Sequence, residues 1–204
     1  MTNKKLSNTV YLVSLAMLAA IIIMLTFTGL GYIPLGVGFT VSILTLPVTI
    51  GAVVLGPMAG AILGLVFGIT SFLTCILGMD ALGALLLTIS PIKLLIMCIV
   101  PRVITGLLCG YIFKGLQKID KTKIISFAVS SLACPIMNTL FFLSTLWLFF
   151  GNDPAVTQYT NGSTSIFVII FALGGINAVI EAAAGLILGT AITKSLSSAI
   201  KRIH

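Results

Sequence analysis

The sequence predicts an all-α integral membrane protein: one bundle of six transmembrane helices over residues 1–204, with both tails in the cytoplasm. Three observations predict it. The first is composition. Hydrophobic residues make up 59% of the chain, with only 11 basic and four acidic residues among 204, and the mean hydropathy is +1.26. A soluble domain carries about 25% charged residues, so a chain with 7% has too little polar surface to face water. The second observation is the division of the chain into six apolar runs by charged or turn-rich segments. The third is the placement of the charges on one side of those runs.

The elements follow in order. The first apolar run, about Thr9 to Thr28, follows Lys4 and Lys5. It is long for the apolar part of a signal peptide and further spans follow, so it is expected to stay uncleaved. A Gly- and Pro-bearing outer loop occupies Gly29 to Gly38. The second span, about Thr40 to Leu55, contains Pro47 and is short, so it is expected to be tilted, bent or partly non-spanning. Gly56-Pro57 is a sharp punctuation mark. The third span runs from Met58 to Leu77. Gly78 to Pro91 is less apolar and holds Asp80; it reads as a loop with room for a short interfacial helix at Ala81–Leu87. The fourth span is Ile92 to Phe113 and the fifth Ile124 to Phe150, separated by the polar loop Lys114 to Lys123. Gly151 to Ser165 is turn-rich, and a sixth span covers Ile166 to Ile192.

Six spans place both tails and the second and fourth loops on one side. That side holds nine of the 11 basic residues: Lys4, Lys5, Lys114, Lys118, Lys121, Lys123, Lys194, Lys201 and Arg202. Basic residues stay cytoplasmic, so the tails are expected inside. Their scatter between apolar runs argues against nucleic-acid binding. Six spans consume roughly 120–140 residues, which leaves no room for a nucleotide-binding domain, and no G-x-x-x-x-G-K-[ST] run occurs. The four cysteines have irregular spacing and the single histidine is His204. No metal and no cofactor are therefore expected. The sequon at Asn161 reads as chance in a Ser/Thr-rich turn.

Polar groups inside spans are expensive, roughly 2.5–3.5 kcal/mol for a charge at the centre. Those present are Lys93, Arg102, Asn138, Asn177 and Glu181. Lys93 sits near the outer end of its span, where it either anchors at the interface by snorkelling or joins a site. Arg102 lies roughly 15 Å deep by helical rise and follows Pro101. It either pairs with Glu181 or binds an anionic solute, and the two readings are compatible. Asn177 and Glu181 share a helix face that Gly185 and Gly189 continue. Asn138 sits mid-span with Thr139 beside it and Phe142 one turn on. These groups either bond helix to helix or form the few placed polar groups of a ligand pocket. Trp147, Tyr32 and Phe39 either cap that pocket from outside or belong to the interfacial aromatic belt. Gly56, Gly60, Gly64 and Gly68 form one small-residue stripe, and Ala16 and Ala20 another. Both suit close helix packing, within the chain or, for the alanines, against another subunit.

With these residues in place, the chain resembles the substrate-binding S component of energy-coupling factor (ECF) vitamin transporters. The most specific run is Thr45-Leu-Pro47-Val-Thr-Ile-Gly51 through Gly56-Pro57-Met-Ala-Gly60-Ala-Ile-Leu-Gly64-Leu-Val-Phe-Gly68. It is similar to the family's Pro-x-x-x-Gly followed by Gly-Pro-x-x-Gly-x-x-x-Gly. Pro101-Arg102 with Gly106 and Gly110, and Asn177-x-x-x-Glu181, resemble the branch that includes pantothenate and folate binders. The resemblance implies a protein of the bacterial plasma membrane that captures a vitamin from outside. Its partners would be a transmembrane coupling subunit, met by the Ala16/Ala20 face, and two ATPase subunits. The chain itself would be no enzyme.

An arginine deep in an apolar pocket suits a carboxylate. Pantothenate offers a carboxylate, hydroxyls and an amide, and ranks first. Folate wants a wide aromatic slot and riboflavin needs no arginine; these, or a thiamine precursor, remain alternatives. A stand-alone secondary carrier is the rival class, but it predicts inverted repeats and a titratable relay. No repeat is evident between residues 1–100 and 101–204, and Glu181 is the sole intramembrane acid. An intramembrane enzyme would need clustered acids or histidines, which the chain lacks. An assembly subunit without ligand would simply pair Arg102 with Glu181.

Overall fold

The structure is a computed structural model that describes residues 8–36, 39–120, 124–157, 165, 180–183 and 185–189. Helix α1 is Asn8–Phe27. Strands β1 (Tyr32–Gly36) and β2 (Phe39–Ser42) follow. Next come α2 (Thr45–Val54), α3 (Pro57–Ile76), α4 (Ala81–Ile89) and α5 (Pro91–Leu116). Then come α6 (Ile124–Phe150) and the short α7 (Pro154–Thr157). Residues 180–183 are helical and Gly185–Gly189 continue as a π-helical turn.

Four of these helices, α1, α3, α5 and α6, are long and apolar enough to cross a bilayer. Their bounds match the expected first, third, fourth and fifth spans to within three residues. Pro57 and Pro91 each stand at the first turn of their helix, where a missing N–H costs nothing. The expected sixth span lies mostly outside the described residues.

Two expectations are corrected. The segment expected as the first outer loop is not plain loop but folds as an antiparallel hairpin. Tyr32 pairs with Ser42, Ile33 with Val41 and Pro34 with Thr40. The alternating, β-branched run Phe39-Thr-Val-Ser suits a strand, and pairing satisfies backbone groups that the membrane edge would leave dry. The hairpin takes Thr40 to Ser42 out of the expected second span. What remains, α2, has only 10 residues, about 15 Å at helical rise and half of a bilayer core. It is buried from Thr45 to Val53, as befits a helix that is apolar all round. Pro47 falls in its first turn, again where no hydrogen bond is lost.

The central contact is α3 against α5, and glycine makes it. A Cβ on Gly60 would overlap the Gly106 carbonyl, and one on Gly106 would overlap the Gly60 carbonyl. A Cβ on Gly64 would overlap the Arg102 carbonyl, and one on Gly68 would stand 2.8 Å from the Cys98 carbonyl oxygen. Gly110 meets Pro57 in the same way. Gly60, Gly64 and Gly68 are thus an intramolecular packing stripe. Gly56 is not part of it: no atom lies within 4 Å of its would-be Cβ, and its φ of +110° makes the turn between α2 and α3.

Around this pair the core forms three clusters. Leu18, Ile22, Leu44, Val48, Leu63 and Phe67 join α1, α2 and α3. Leu86, Leu94, Met97, Leu143, Leu146 and Val156 join α4 through α7. Val53, Cys109, Phe113, Phe127 and Cys134 join α2, α5 and α6. Helix α1 buries only Leu18, Ile22 and Thr26, with the Thr26 hydroxyl 3.4 Å from that of Thr70. Ala16 and Ala20 are exposed on another face.

The glycine contact generates a paired test. Gly64→Ala should lower stability in detergent by about 1–3 kcal/mol, because two backbones must part. Gly115→Ala, in the partner helix α5 but with open space at its Cβ, should leave the thermal midpoint unchanged or slightly raised. Equal midpoints for both variants would show that the α3–α5 approach is not limiting.

Candidate functional site

Arg102 is the organising side chain of the candidate site. It lies in the interior of α5, one residue after Pro101, and is 8% exposed. Helical side chains point back toward the N-terminus, and this one does so. Its Nη1 donates to the Cys98 carbonyl at 2.7 Å, one turn earlier. Its Nη2 donates to Ser71 Oγ of α3 at 3.0 Å. The Phe67 ring of α3 lies 4.6 Å from the guanidinium carbon and the Phe142 ring of α6 lies 5.1 Å from it. Both are cation–π distances, each worth about 0.5–2 kcal/mol. Three helices therefore converge on one cation. Its Nε is buried and has no hydrogen-bond partner among the described residues.

Local sequence explains the convergence. Phe67, Ser71 and the packing glycines Gly64 and Gly68 recur at three- and four-residue intervals on α3, so they share a face. That face meets α5 backbone to backbone at Arg102 itself. The Ser71 carbonyl is also held, by Thr74 Oγ1 at 2.7 Å and Cys75 Sγ at 3.2 Å.

Glu181 is the second buried ionisable group, 7% exposed. Its Oε1 accepts the backbone N–H of Ser42 at 2.7 Å, which ties the last residue of β2 to the C-terminal helical residues. Its Oε2 and the Ser42 hydroxyl are both buried without a partner among the described residues. One turn on, Gly185 packs on α6: a Cβ there would meet the Ser131 carbonyl oxygen at 2.6 Å. Glu181 is within electrostatic reach of Arg102, but the two form no ion pair among the described residues. Arg102 instead finds its partners on α3, α5 and α6.

The remaining candidates separate into groups. Asn138 and Thr139 are half-buried, and Asn138 precedes Phe142 by one turn, on the face that carries that ring to Arg102. Asn177 lies outside the described residues. Lys93 is exposed at the start of α5, its Nζ 6.0 Å from the Phe150 ring centroid. It stands nine residues before Arg102, about 13 Å by helical rise, and is not brought to it. Trp147 is 40% exposed and lines a depression of about 270 Å³ with Phe150, Asn152 and Pro154 at the C-terminal end of α6. Phe39 opens β2, opposite Gly36. Ala16 and Ala20 lie away from the site on α1.

Three residues of the site are absent from the sequence reading: Phe67, Ser71 and Ser42. The first two were within reach, since they continue the glycine face of α3 at helical spacing. Ser42 contributes a backbone N–H, which any residue offers, so no side-chain signal marks it.

The profile of the family described as ECF transporter, substrate-specific component, matches residues 10–193. The chain is also similar to the pantothenic acid transporter PanT of Lactococcus lactis subsp. cremoris (strain MG1363). The two are 29% identical over 169 residues, 78% of each chain.

Proposed function

The chain belongs to the ECF transporter substrate-specific component family, and on that premise we propose that it captures pantothenate from outside the cell and releases it inward when coupled to an ATPase module. The observation that carries this reading is the buried guanidinium of Arg102. Two aromatic rings lie within cation–π distance of it, and Nε, on the edge of the guanidinium, is buried and unpaired among the described residues. A carboxylate meeting that edge gains charge-assisted hydrogen bonds in a low dielectric. The similarity to a pantothenic acid transporter supports the choice of carboxylate. Asn138, Thr139 and Asn177 are proposed to take the amide and hydroxyl groups. Trp147, Phe39 and Lys93 are proposed to stand at the outer rim.

The topology that goes with this reading is six spans with both tails inside a bacterial plasma membrane, supported by the nine basic residues on one side. The partners are a transmembrane coupling subunit and two ATPase subunits. The exposed Ala16/Ala20 face of α1 is proposed as the docking surface, since small residues allow a second helix to approach closely.

Calorimetric titration of the purified chain with pantothenate, folate, riboflavin, thiamine and biotin in separate cells tests the cargo. Pantothenate should bind with nanomolar affinity. Arg102→Ala should weaken it by about 100-fold or more, on the order of 3 kcal/mol, while the protein stays monodisperse in detergent. Unchanged affinity in that folded variant would discard the site, and tight binding of another vitamin would replace the cargo. In the reconstituted complex, Ala16→Trp should leave binding intact and abolish uptake; normal uptake would remove α1 as the docking face. Single-cysteine labelling should reach position 161 from outside and position 118 from inside, and the opposite pattern would invert the topology.

A further inference from the structure

The hairpin and the C-terminal helical residues meet at one hydrogen bond, and that bond uses only half of the carboxylate. Glu181 Oε1 accepts the Ser42 N–H at 2.7 Å. Glu181 Oε2 and Ser42 Oγ flank it, each buried and each unpaired among the described residues. Leaving such atoms dry and unpaired is costly, more so for a charged group. The two atoms differ in what they accept as a partner. A carboxylate oxygen can only accept a hydrogen bond, whereas a serine hydroxyl can donate or accept.

We infer that Glu181, with Ser42, is a specificity-determining pair that reads a hydroxyl group of the ligand while it holds the outer hairpin in place. The inference rests on the function proposed above. One ligand hydroxyl satisfies both orphan atoms at once, donating to Glu181 Oε2 and accepting from Ser42 Oγ. A second ligand carboxylate has no hydrogen to donate to Glu181 Oε2, and an apolar group would leave both atoms unpaired. The ligand class that fits the two ends of the site is thus a hydroxylated monocarboxylate, with its anionic end at Arg102 and its hydroxyl end under the hairpin. Glu181 holds the hairpin through the Ser42 backbone, so the residue that reads the hydroxyl also positions the cover above it.

The test uses the full chain in detergent, with pantothenate and analogues lacking each of its hydroxyls in turn. The wild-type protein should bind pantothenate at least 10-fold more tightly than one of the deoxy analogues. In Glu181→Gln the side-chain carbonyl still accepts the Ser42 N–H, but an amide N–H₂ replaces the free oxygen. That variant should bind pantothenate about 10-fold more weakly and discriminate against the same analogue less than 3-fold. Hydrogen exchange at the Ser42 amide should stay slow in Glu181→Gln and become fast in Glu181→Ala. Full discrimination with unchanged affinity in Glu181→Gln would overturn the inference and leave Glu181 as a strut alone. Equal wild-type affinity for pantothenate and both analogues would overturn it without recourse to any variant. Wild-type protein that binds none of the three overturns the proposed cargo and this inference together, whereas binding without hydroxyl discrimination overturns only this inference.

Discussion

Backbone meets backbone between α3 and α5, and the site depends on that contact. Where most helix pairs keep their axes apart with side chains, Gly60, Gly64 and Gly68 let carbonyls of α5 rest on the α3 main chain. Membrane helices gain little from apolar burial against one another, so close van der Waals approach is the main attraction available. The approach also sets the reach of Arg102. Because the Arg102 carbonyl itself seats at Gly64, its side chain arrives between Phe67 and Ser71 without crossing a gap. A larger residue at position 64 would separate the helices and the guanidinium from its supports together.

The arrangement answers the problem of an arginine buried in hydrocarbon. The charge is neither exposed nor matched by a carboxylate among the described residues. It is held by a carbonyl, a hydroxyl and two aromatic faces. None of these neutralises it. The cation therefore keeps an attraction for an anion that an ion pair with Glu181 would have quenched. Arg102 is held by α3, α5 and α6 and Glu181 by the hairpin, so the two side chains rest on separate partners.

Much of this was legible in the sequence, and unevenly so. The bounds of α3, α5 and α6 followed from apolar runs broken by Gly-Pro, Ser-Pro and lysine-rich segments, which are local signals. The glycine stripe announced a packing face, and Arg102 announced itself by depth. Three things were not legible, for physical reasons. The hairpin hides because Tyr32 to Ser42 is short and apolar, and such a run reads equally as loop, strand or the start of a helix. The shortness of α2 was legible, but its start at Thr45 rather than Thr40 follows from the hairpin and was lost with it. The partners of Arg102 depend on which helices touch, and spacing within one helix cannot report that. The sequence allowed both an Arg102–Glu181 pair and a free cation, and only the fold decides between them.

The helices also differ in length, and this has a consequence for how the protein sits in lipid. Helices α1 and α3 have 20 residues each and the stretch of α5 between Lys93 and Lys114 also has 20, whereas α6 has 27 without a charge. At helical rise these are about 30 Å against about 40 Å. A single bilayer cannot match both lengths with every axis upright. Three helices fit a hydrocarbon core of about 30 Å, while α6 must lean or locally thicken the lipid around it, at a fraction of a kcal/mol per Å. Hydrophobic mismatch is thus built into one helix of the bundle, and the tilt of α6 becomes a function of the thickness of the surrounding membrane.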